Sequence, residues 1–298
     1  MLSHLGLGTV QFGLDYGVSN RRGRPDDCEV AAILARAAEA GVGYIDTAPS
    51  YANAEALVGR YLSSGHSLRI VTKTPALAEA TIEARHGQRV LDTLAASLDR
   101  LKVDAVYGLL VHQSGDLAKP GWQHLVGAMA EAQARGWASR IGASVYNSDQ
   151  LELVESCFRP ELVQLPLNVL DHRPIFSGTL ARLNAAGAEI HARSVFLQGL
   201  LLMKPSELPD FFLPLRETIA TLHRRWAERG LSALAGCLGF VFAQKDVDVV
   251  IVGVNSCNEF AQIEAALAQV ANSSHDFRPD LRIDPLYLDP QRWPPAAH

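Results

Sequence analysis

Three ionisable side chains in this chain close short apolar runs. Asp46 ends Tyr44-Ile45-Asp46, Lys73 ends Ile70-Val71-Thr72-Lys73, and His112 ends Leu109-Leu110-Val111-His112. Taken singly each has a plain explanation: an aspartate caps a helix, a lysine reaches to water, a histidine sits satisfied in a core. Taken together, three successive runs ending in the same way point to one shared pocket. Pairing Lys73 with Asp46 lets both stay charged when partly buried. Tyr51 follows Asp46 by five residues, in the loop Ala48-Pro49-Ser50-Tyr51, and reaches over the same place. A phenol beside an ammonium has its pKa of about 10 lowered, because the cation favours phenolate, and so exchanges protons nearer neutral pH. With His112 to hydrogen-bond a substrate oxygen, the set suits the chemistry of carbonyls and alcohols.

Such side chains need a scaffold that brings strand ends together. Short apolar, β-branched runs alternate along the chain with amphipathic stretches, the pattern of βαβ units around a parallel sheet. Eight strands are expected: 5–9, 44–46, 68–73, 106–112, 140–144, 162–167, 189–194 and 247–252. Between them Val30, Ile33, Leu34, Ala37 and Ala38 make one helical stripe, stopped by Gly41, and Val90, Leu91, Leu94, Leu98 and Leu101 make another. The long segment 211–245 holds two helices split near Gly230. Eight strands and eight helical segments in about 250 residues fit a (β/α)8 TIM barrel, whose chemistry sits at the C-terminal ends of the strands. The rival is a doubly wound sheet. Gly6-Leu7-Gly8-Thr9-Val10-Gln11-Phe12-Gly13 has the wrong glycine spacing for its dinucleotide fingerprint, and no helix is expected before about Asp26. The chain thus reads as a single domain over 1–298, with an irregular, proline-rich tail from about 275.

Composition narrows the function classes. The chain has 298 residues, 48% hydrophobic and 20% charged, enough for a large core and unlike disordered or fibrous sequences. Its formal charge of −5, with no block of like charges, argues against nucleic acid or an anionic membrane as partner. No apolar run approaches a membrane span and the first residues lack a signal-peptide pattern, so a cytoplasmic protein acting on a small molecule is expected. Cys28, Cys157, Cys237 and Cys257 form no metal-binding spacing, and no metal site is expected. Asn272-Ser273-Ser274 fits a glycosylation acceptor but reads as a polar turn.

Asp46-Thr47-Ala48-Pro49-Ser50-Tyr51, followed by Glu55 and Gly59, then Thr72-Lys73 and Val111-His112, resembles the aldo-keto reductase family. The likeness extends to Gly8-Thr9, Gly142-Ala143-Ser144, Val163-Gln164 with Asn168, and Ser194 through Gly199. It implies a nicotinamide-dependent barrel in which Asp46, Tyr51, Lys73 and His112 are catalytic and Tyr51 is the general acid in reduction. It also implies NADP, with NAD possible, and an aldehyde, ketone or sugar as substrate. Ser144 and Gln164 match positions for the nicotinamide carboxamide. Ser194, Leu197 and Gly199 match the loop along the pyrophosphate, with Phe196 and Gln198 beside them. The segment from Gly253 and Val254 through Ser256 to Gln262 matches the adenosine end. Gly8, Thr9 and Val10 complete the expected cofactor contacts.

Three positions depart from the pattern. Val145 replaces an asparagine next to Ser144, with Asn147 as a conceivable substitute. Arg193 replaces a tyrosine that stacks on nicotinamide; its guanidinium either stacks as well or pairs with a carboxylate. Ser256 stands where a Lys or Arg meets the 2′-phosphate of NADP, which weakens the preference for NADP over NAD. Tyr16, Tyr146, Phe196 and the tail around Trp293 are candidate substrate-pocket residues. Two alternatives remain alongside the reductase: a catalytically weak, cofactor-binding regulatory protein, and a Schiff-base aldolase using Lys73, which Asp46 disfavours by keeping the amine charged.

Overall fold

The computed structural model describes residues 1–62, 66–271 and 281–294. Asn272-Ser273-Ser274 and the start of the tail near 275 lie outside the described residues. All eight expected strands form, within about two residues of their expected ends: β1 Leu5–Gly8, β2 Tyr44–Asp46, β3 Arg69–Lys73, β4 Val106–Val111, β5 Ala138–Ser144, β6 Leu162–Pro166, β7 Glu189–Arg193 and β8 Val249–Gly253. They pair in parallel in chain order, and β1 meets β8 to close an eight-stranded barrel. Buried largely on both faces, the strands are mostly apolar, with interior polar residues such as Thr72, Tyr107, Arg140, Gln164 and His191 as the exceptions.

The helices are α1 Val10–Gly13, α2 Asp27–Glu39, α3 Ala54–Tyr61, α4 Ala84–Leu101, α5 Gln123–Ala134, α6 Ser148–Cys157, α7 Arg173–Phe176, α8 Thr179–Ala185, α9 Arg216–Ala227, α10 Ala233–Phe242 and α11 Cys257–Ala271. Their starts are set by local hydrogen bonds. Asp26, Asn147 and Ser232 accept from Glu29 N, Gln150 N and Ala235 N at 2.8, 2.9 and 3.1 Å. The stripe from Val30 to Ala37 is buried against the barrel, and α9 and α10 divide around Gly230 as expected.

One expectation fails. Helix α1 follows β1 at once, where no helix was expected before Asp26. It is a single turn, closed by Phe12 N to Thr9 O at 3.0 Å and Leu14 N to Val10 O at 3.0 Å, too short to show a helical period. Gly13 is required there: a Cβ would sit 1.9 Å from the carbonyl oxygen of Tyr51. The short turn therefore presses directly on the loop that carries the tyrosine.

The motif residues Glu55 and Gly59 position that loop from behind. Glu55, 1% exposed, accepts from Thr72 Oγ1 at 2.7 Å and from Arg100 at 2.7 and 2.9 Å. This ties α3, which follows the tyrosine loop, to β3 and α4. A Cβ on Gly59 would lie 2.0 Å from Arg100 O, so only glycine lets α3 and α4 approach this closely.

The barrel is solid below the strand ends. Tyr44, Val249 and Ile251 form one buried cluster and Val71, Leu110 and Leu162 another, with Tyr107 packed against both. Tyr44 and Tyr107 also belong to a polar network from the N-terminal halves of the strands. Arg69 donates to Tyr44 Oη at 2.6 Å and sits over the Tyr44 and Tyr107 rings at 5.3 and 5.1 Å. Tyr107, Arg140 and His191 all bond Glu189. Burial alone would raise the Glu189 carboxyl; hydrogen bonds from His191 and Tyr107 outweigh it and hold the group at about 2.

The described part of the tail, 281–294, contains short turns at Pro285–Tyr287 and Pro290–Arg292. Trp293 packs edge-on against Phe212 at 4.8 Å, and Tyr287 against Phe211 at 5.3 Å. Among the described residues, no helix is long and apolar enough to cross a membrane.

Candidate active site

The C-terminal ends of the strands surround a cavity of about 580 Å³. Asp46, Tyr51, Lys73 and His112 all line it, so the residues singled out by their positions in the sequence meet in one place. Lys73 is 2% exposed and fully engaged: its ammonium donates to Asp46 Oδ1 at 2.9 Å, Asp46 Oδ2 at 3.0 Å and Thr47 O at 2.8 Å. Thr9 fixes the end of β2, giving both its amide and its hydroxyl to Asp46 O at 2.9 and 3.0 Å. Burial pushes the Lys73 ammonium down and Asp46 opposes that without overcoming it. This differs from the expectation that Asp46 dominates, because removing an ammonium from water is a larger effect here than one salt bridge.

Tyr51 differs too. Lys73 Nζ lies 5.0 Å from the centroid of its ring, and no hydrogen bond joins the ammonium to the phenol oxygen. Burial pushes the hydroxyl up, Asp46 adds to this, and Arg193 rather than Lys73 pulls it down. The expected lowering gives way to desolvation, and Tyr51 stays a protonated phenol through the neutral range. His112 meets Tyr51 edge-on at 5.9 Å, with Nδ1 3.4 Å from Ser50 Oγ. Burial, then the charge of Lys73, lowers its imidazole to about 4, so it is neutral near pH 7.

A hydrogen-bonded chain leads from this centre to β5 and β6. Ser144 Oγ donates to Gln164 Oε1 at 3.2 Å, and Gln164 Nε2 donates to Asp46 Oδ1 at 2.7 Å. Val145 and Arg193, two of the three departures, are joined: Arg193 Nη2 donates to Val145 O at 3.0 Å. Its guanidinium lies 4.0 Å over the Tyr146 ring, and Nη1 donates to Ser194 Oγ at 3.2 Å. Arg193 thus stacks on Tyr146, and among the described residues it has no carboxylate within 4 Å. Asn147 caps α6 and is committed there.

The segment after β7 is the most unusual stretch of backbone. Ser194, Leu197, Gln198 and Gly199 all have positive φ, between 47° and 86°. Asn168 supports the turn by donating to Ser194 O at 3.1 Å. Successive residues in such conformations aim backbone N–H groups into a concave nest suited to anions. Ser194, Phe196, Gln198 and Gly199 line the cavity, as do Gly8, Thr9 and Val10 on one side and Gly253, Val254 and Gln262 on another. Two expected residues do not reach it. Leu197 has its side chain in the core at 0% exposure and contributes backbone geometry only. Ser256 Oγ accepts from Glu259 N at 3.1 Å, starting α11. Of the pocket candidates, Tyr16, Tyr146 and Phe196 line the cavity and Trp293 does not.

Sequence reasoning missed Gln11, Ser19, Asn20, Arg21, Arg22 and Gln113, which also line it. The segment 16–23 crosses the nest, since a Cβ on Gly199 would lie 1.8 Å from Ser19 Oγ. Turn chemistry was the available signal: Asn20 Oδ1 accepts from Arg22 N and Gly23 N at 3.0 Å each.

The cavity fits a dinucleotide. Gln11 Oε1, Gln198 Oε1 and Asn255 Oδ1 are buried acceptors without partners, arrayed along it. Ribose hydroxyls and an adenine amino group are donors of the matching kind, and the nest after β7 matches a pyrophosphate.

A closed eight-stranded barrel with a tyrosine, a lysine–aspartate pair and a histidine at its mouth is the architecture that the sequence resemblance implied. Residues 4–277 match the model of the Aldo/keto reductase family, and the chain belongs to that family. It is 34% identical over 154 residues to an aldo-keto reductase of Mycobacterium sp. (strain MCS), a match covering 50% of this chain and 52% of that one. A Mycolicibacterium smegmatis aldo-keto reductase is 30% identical over 157 residues, with the same coverage. The chain thus spans about half the length of the curated relatives it matches. Among solved structures, an aldo-keto reductase from Bacillus halodurans, a holo form, superposes with TM-score 0.69 at 19% identity, covering 91% of this chain and 87% of that one. A glycerol dehydrogenase from Gluconobacter oxydans superposes with TM-score 0.67 at 19% identity, covering 95% and 96%. These structural likenesses concern the fold.

Proposed function

We propose that the protein is a nicotinamide-dependent oxidoreductase that interconverts an aldehyde, ketone or sugar carbonyl with its alcohol, using NADP or NAD. The observation that carries this reading is the convergence of Tyr51, His112 and the Lys73–Asp46 pair on one cavity that also holds an anion-binding nest. When bound, the cofactor supplies or accepts the hydride. Ser144 and Gln164 hold its carboxamide, the backbone from Ser194 to Gly199 its pyrophosphate, and Gln11, Asn255 and Gln262 its sugar and adenine groups.

The chain's own residues do the proton chemistry. His112, neutral near pH 7, directs an imidazole nitrogen at the substrate carbonyl oxygen and orients it. Tyr51, protonated, donates to that oxygen as charge develops on it; in the reverse direction it receives the alcohol proton. Lys73 holds positive charge beneath the tyrosine ring, and Asp46 holds Lys73 in place through a carboxylate that Gln164 also braces.

Replacing Tyr51 by Phe tests the assignment. Oxidation of NAD(P)H with a panel of aldehydes and ketosugars is expected to fall by at least 10²-fold, while cofactor affinity changes less than threefold. Turnover retained in Tyr51→Phe overturns the role given to this residue.

A further inference from the structure

The adenosine end of the cavity is built around the start of α11. A helix N-terminus draws anions because its first amides have no partner within the helix. Here the chain's own groups have taken them. Asn255 N donates to Glu259 Oε2 at 2.7 Å, Cys257 N to Glu29 Oε1 at 2.5 Å, and Glu259 N to Ser256 Oγ at 3.1 Å. Two of these three acceptors are carboxylates, so the helix end that could meet a 2′-phosphate already has negative charge against it.

Glu259 also lines the cavity, and its other oxygen, Oε1, has no partner among the described residues. Asn255 Nδ2 faces the same carboxylate at 3.5 Å, leaving Asn255 Oδ1 as a buried acceptor without a partner. Gln11 Oε1 is another, and its side chain lies against Gly253, where a Cβ would sit 2.0 Å from Gln11 Nε2. The unengaged atoms at this end are thus acceptors. Ribose hydroxyls have protons to give them; a 2′-phosphate has only acceptor oxygens and is repelled by Glu259.

The other charged groups on the cavity wall do not offset this. Lys73 and Asp46 pair with each other, and Arg193 lies over Tyr146 with a bond to Val145 O. Arg21 and Arg22 are exposed on the segment 16–23, which crosses the nest where Ser19 meets Gly199. That nest is the place assigned to the pyrophosphate, which NAD and NADP share, so cations there favour both alike. Among the described residues no lysine, arginine or histidine pairs with the Glu259 carboxylate within 4 Å.

We infer that Glu259 selects the cofactor: its carboxylate accepts the adenosine 2′-hydroxyl of NAD(H) and excludes the 2′-phosphate of NADP(H). A carboxylate on the ribose 2′-hydroxyl favours NAD in other dinucleotide sites by the same chemistry. The inference rests on the nicotinamide-dependent reading above and narrows its two cofactors to one.

The test uses ADP-ribose and 2′-phospho-ADP-ribose, which differ only at the 2′ position and lack the nicotinamide, so calorimetric titration reads binding with no turnover involved. The wild type is expected to bind ADP-ribose more tightly by roughly tenfold or more. In Glu259→Gln, which keeps an oxygen for Asn255 N, that ratio falls below about threefold, and in Glu259→Arg it reverses. Arg21→Ala and Arg22→Ala weaken both ligands by the same factor. If neither ligand binds the wild type, the dinucleotide reading fails and this inference with it. If both bind within about threefold of each other, the reading stands and the inference is overturned. A Glu259→Gln variant that loses affinity for both alike also overturns it, because the carboxylate then only braces Asn255. So does a loss confined to the phosphorylated ligand in Arg21→Ala or Arg22→Ala, which places the 2′ position at the segment 16–23.

Discussion

Lys73 Nζ lies 2.9 and 3.0 Å from the two carboxylate oxygens of Asp46, and the same Oδ1 accepts from Gln164 Nε2 at 2.7 Å. This buried pair is the structural centre of the site. Removing one partner leaves an uncompensated charge, at a cost of roughly 3–5 kcal/mol, whereas replacing both by apolar groups is far less costly. Asp46→Asn is expected to destabilise by that amount in urea unfolding, and Asp46→Leu with Lys73→Met by less than the single change. A double variant weaker than Asp46→Asn contradicts this account.

His112 gives a pH prediction. Its folded value of about 4 lies below the ordinary 6.5 because burial, then Lys73, opposes its charge. Between pH 6.5 and 4 the unfolded chain takes up a proton that the folded chain refuses. The stability that this group contributes is therefore complete above 6.5 and is lost as the pH falls to 4. Over pH 7 to 4 the wild type should lose about 3 kcal/mol more than His112→Gln. The ring resonances should show no titration above pH 5; a midpoint near 6.5 removes the effect.

Two glycines in helices give opposite predictions. Gly59→Ala places a methyl 2.0 Å from Arg100 O and forces α3 and α4 apart, at a cost of about 1–3 kcal/mol. Gly127 in α5 has open space around it, and Gly127→Ala should stabilise by about 0.5–1 kcal/mol. Melting temperatures should move down in the first and up in the second.

Ser256 bears on cofactor choice. Its hydroxyl is engaged by Glu259 N, and it offers no charge to a 2′-phosphate. NADPH is expected to bind less than tenfold more tightly than NADH in fluorescence titrations. A larger ratio would point to a phosphate contact from Arg21 or Arg22, the exposed cations that line the cavity.

The barrel was legible because each strand is a short apolar run with its own turn signals, and a (β/α)8 closure leaves little freedom once eight are counted. The same regularity exposed Asp46, Lys73 and His112, since a charge ending an apolar strand contrasts with what precedes it. Other features depend on packing that spacing does not encode. The direction in which Tyr51 titrates is set by how deeply it is buried. Leu197 and Ser256 stand in the matching segments, yet one side chain turned into the core and the other started a helix. Helix α1 and the segment 16–23 are held by single turns and by asparagine bonds to the backbone, which leave no period to detect. The link from Arg193 at the end of β7 to the carbonyl of Val145, the residue after β5, joins distant parts of the chain, and the side chain at 145 takes no part in it.

The polar network of the barrel has a consequence for traffic. With Tyr44, Tyr107, Arg69 and Glu189 locked together across its N-terminal end, the barrel axis is closed there, and among the described residues the cavity opens at the mouth. Whatever occupies the deeper part must arrive before, and depart after, what lies above it. The kinetics should then show a compulsory order of addition, and a compound lodged in the mouth should trap the occupant beneath.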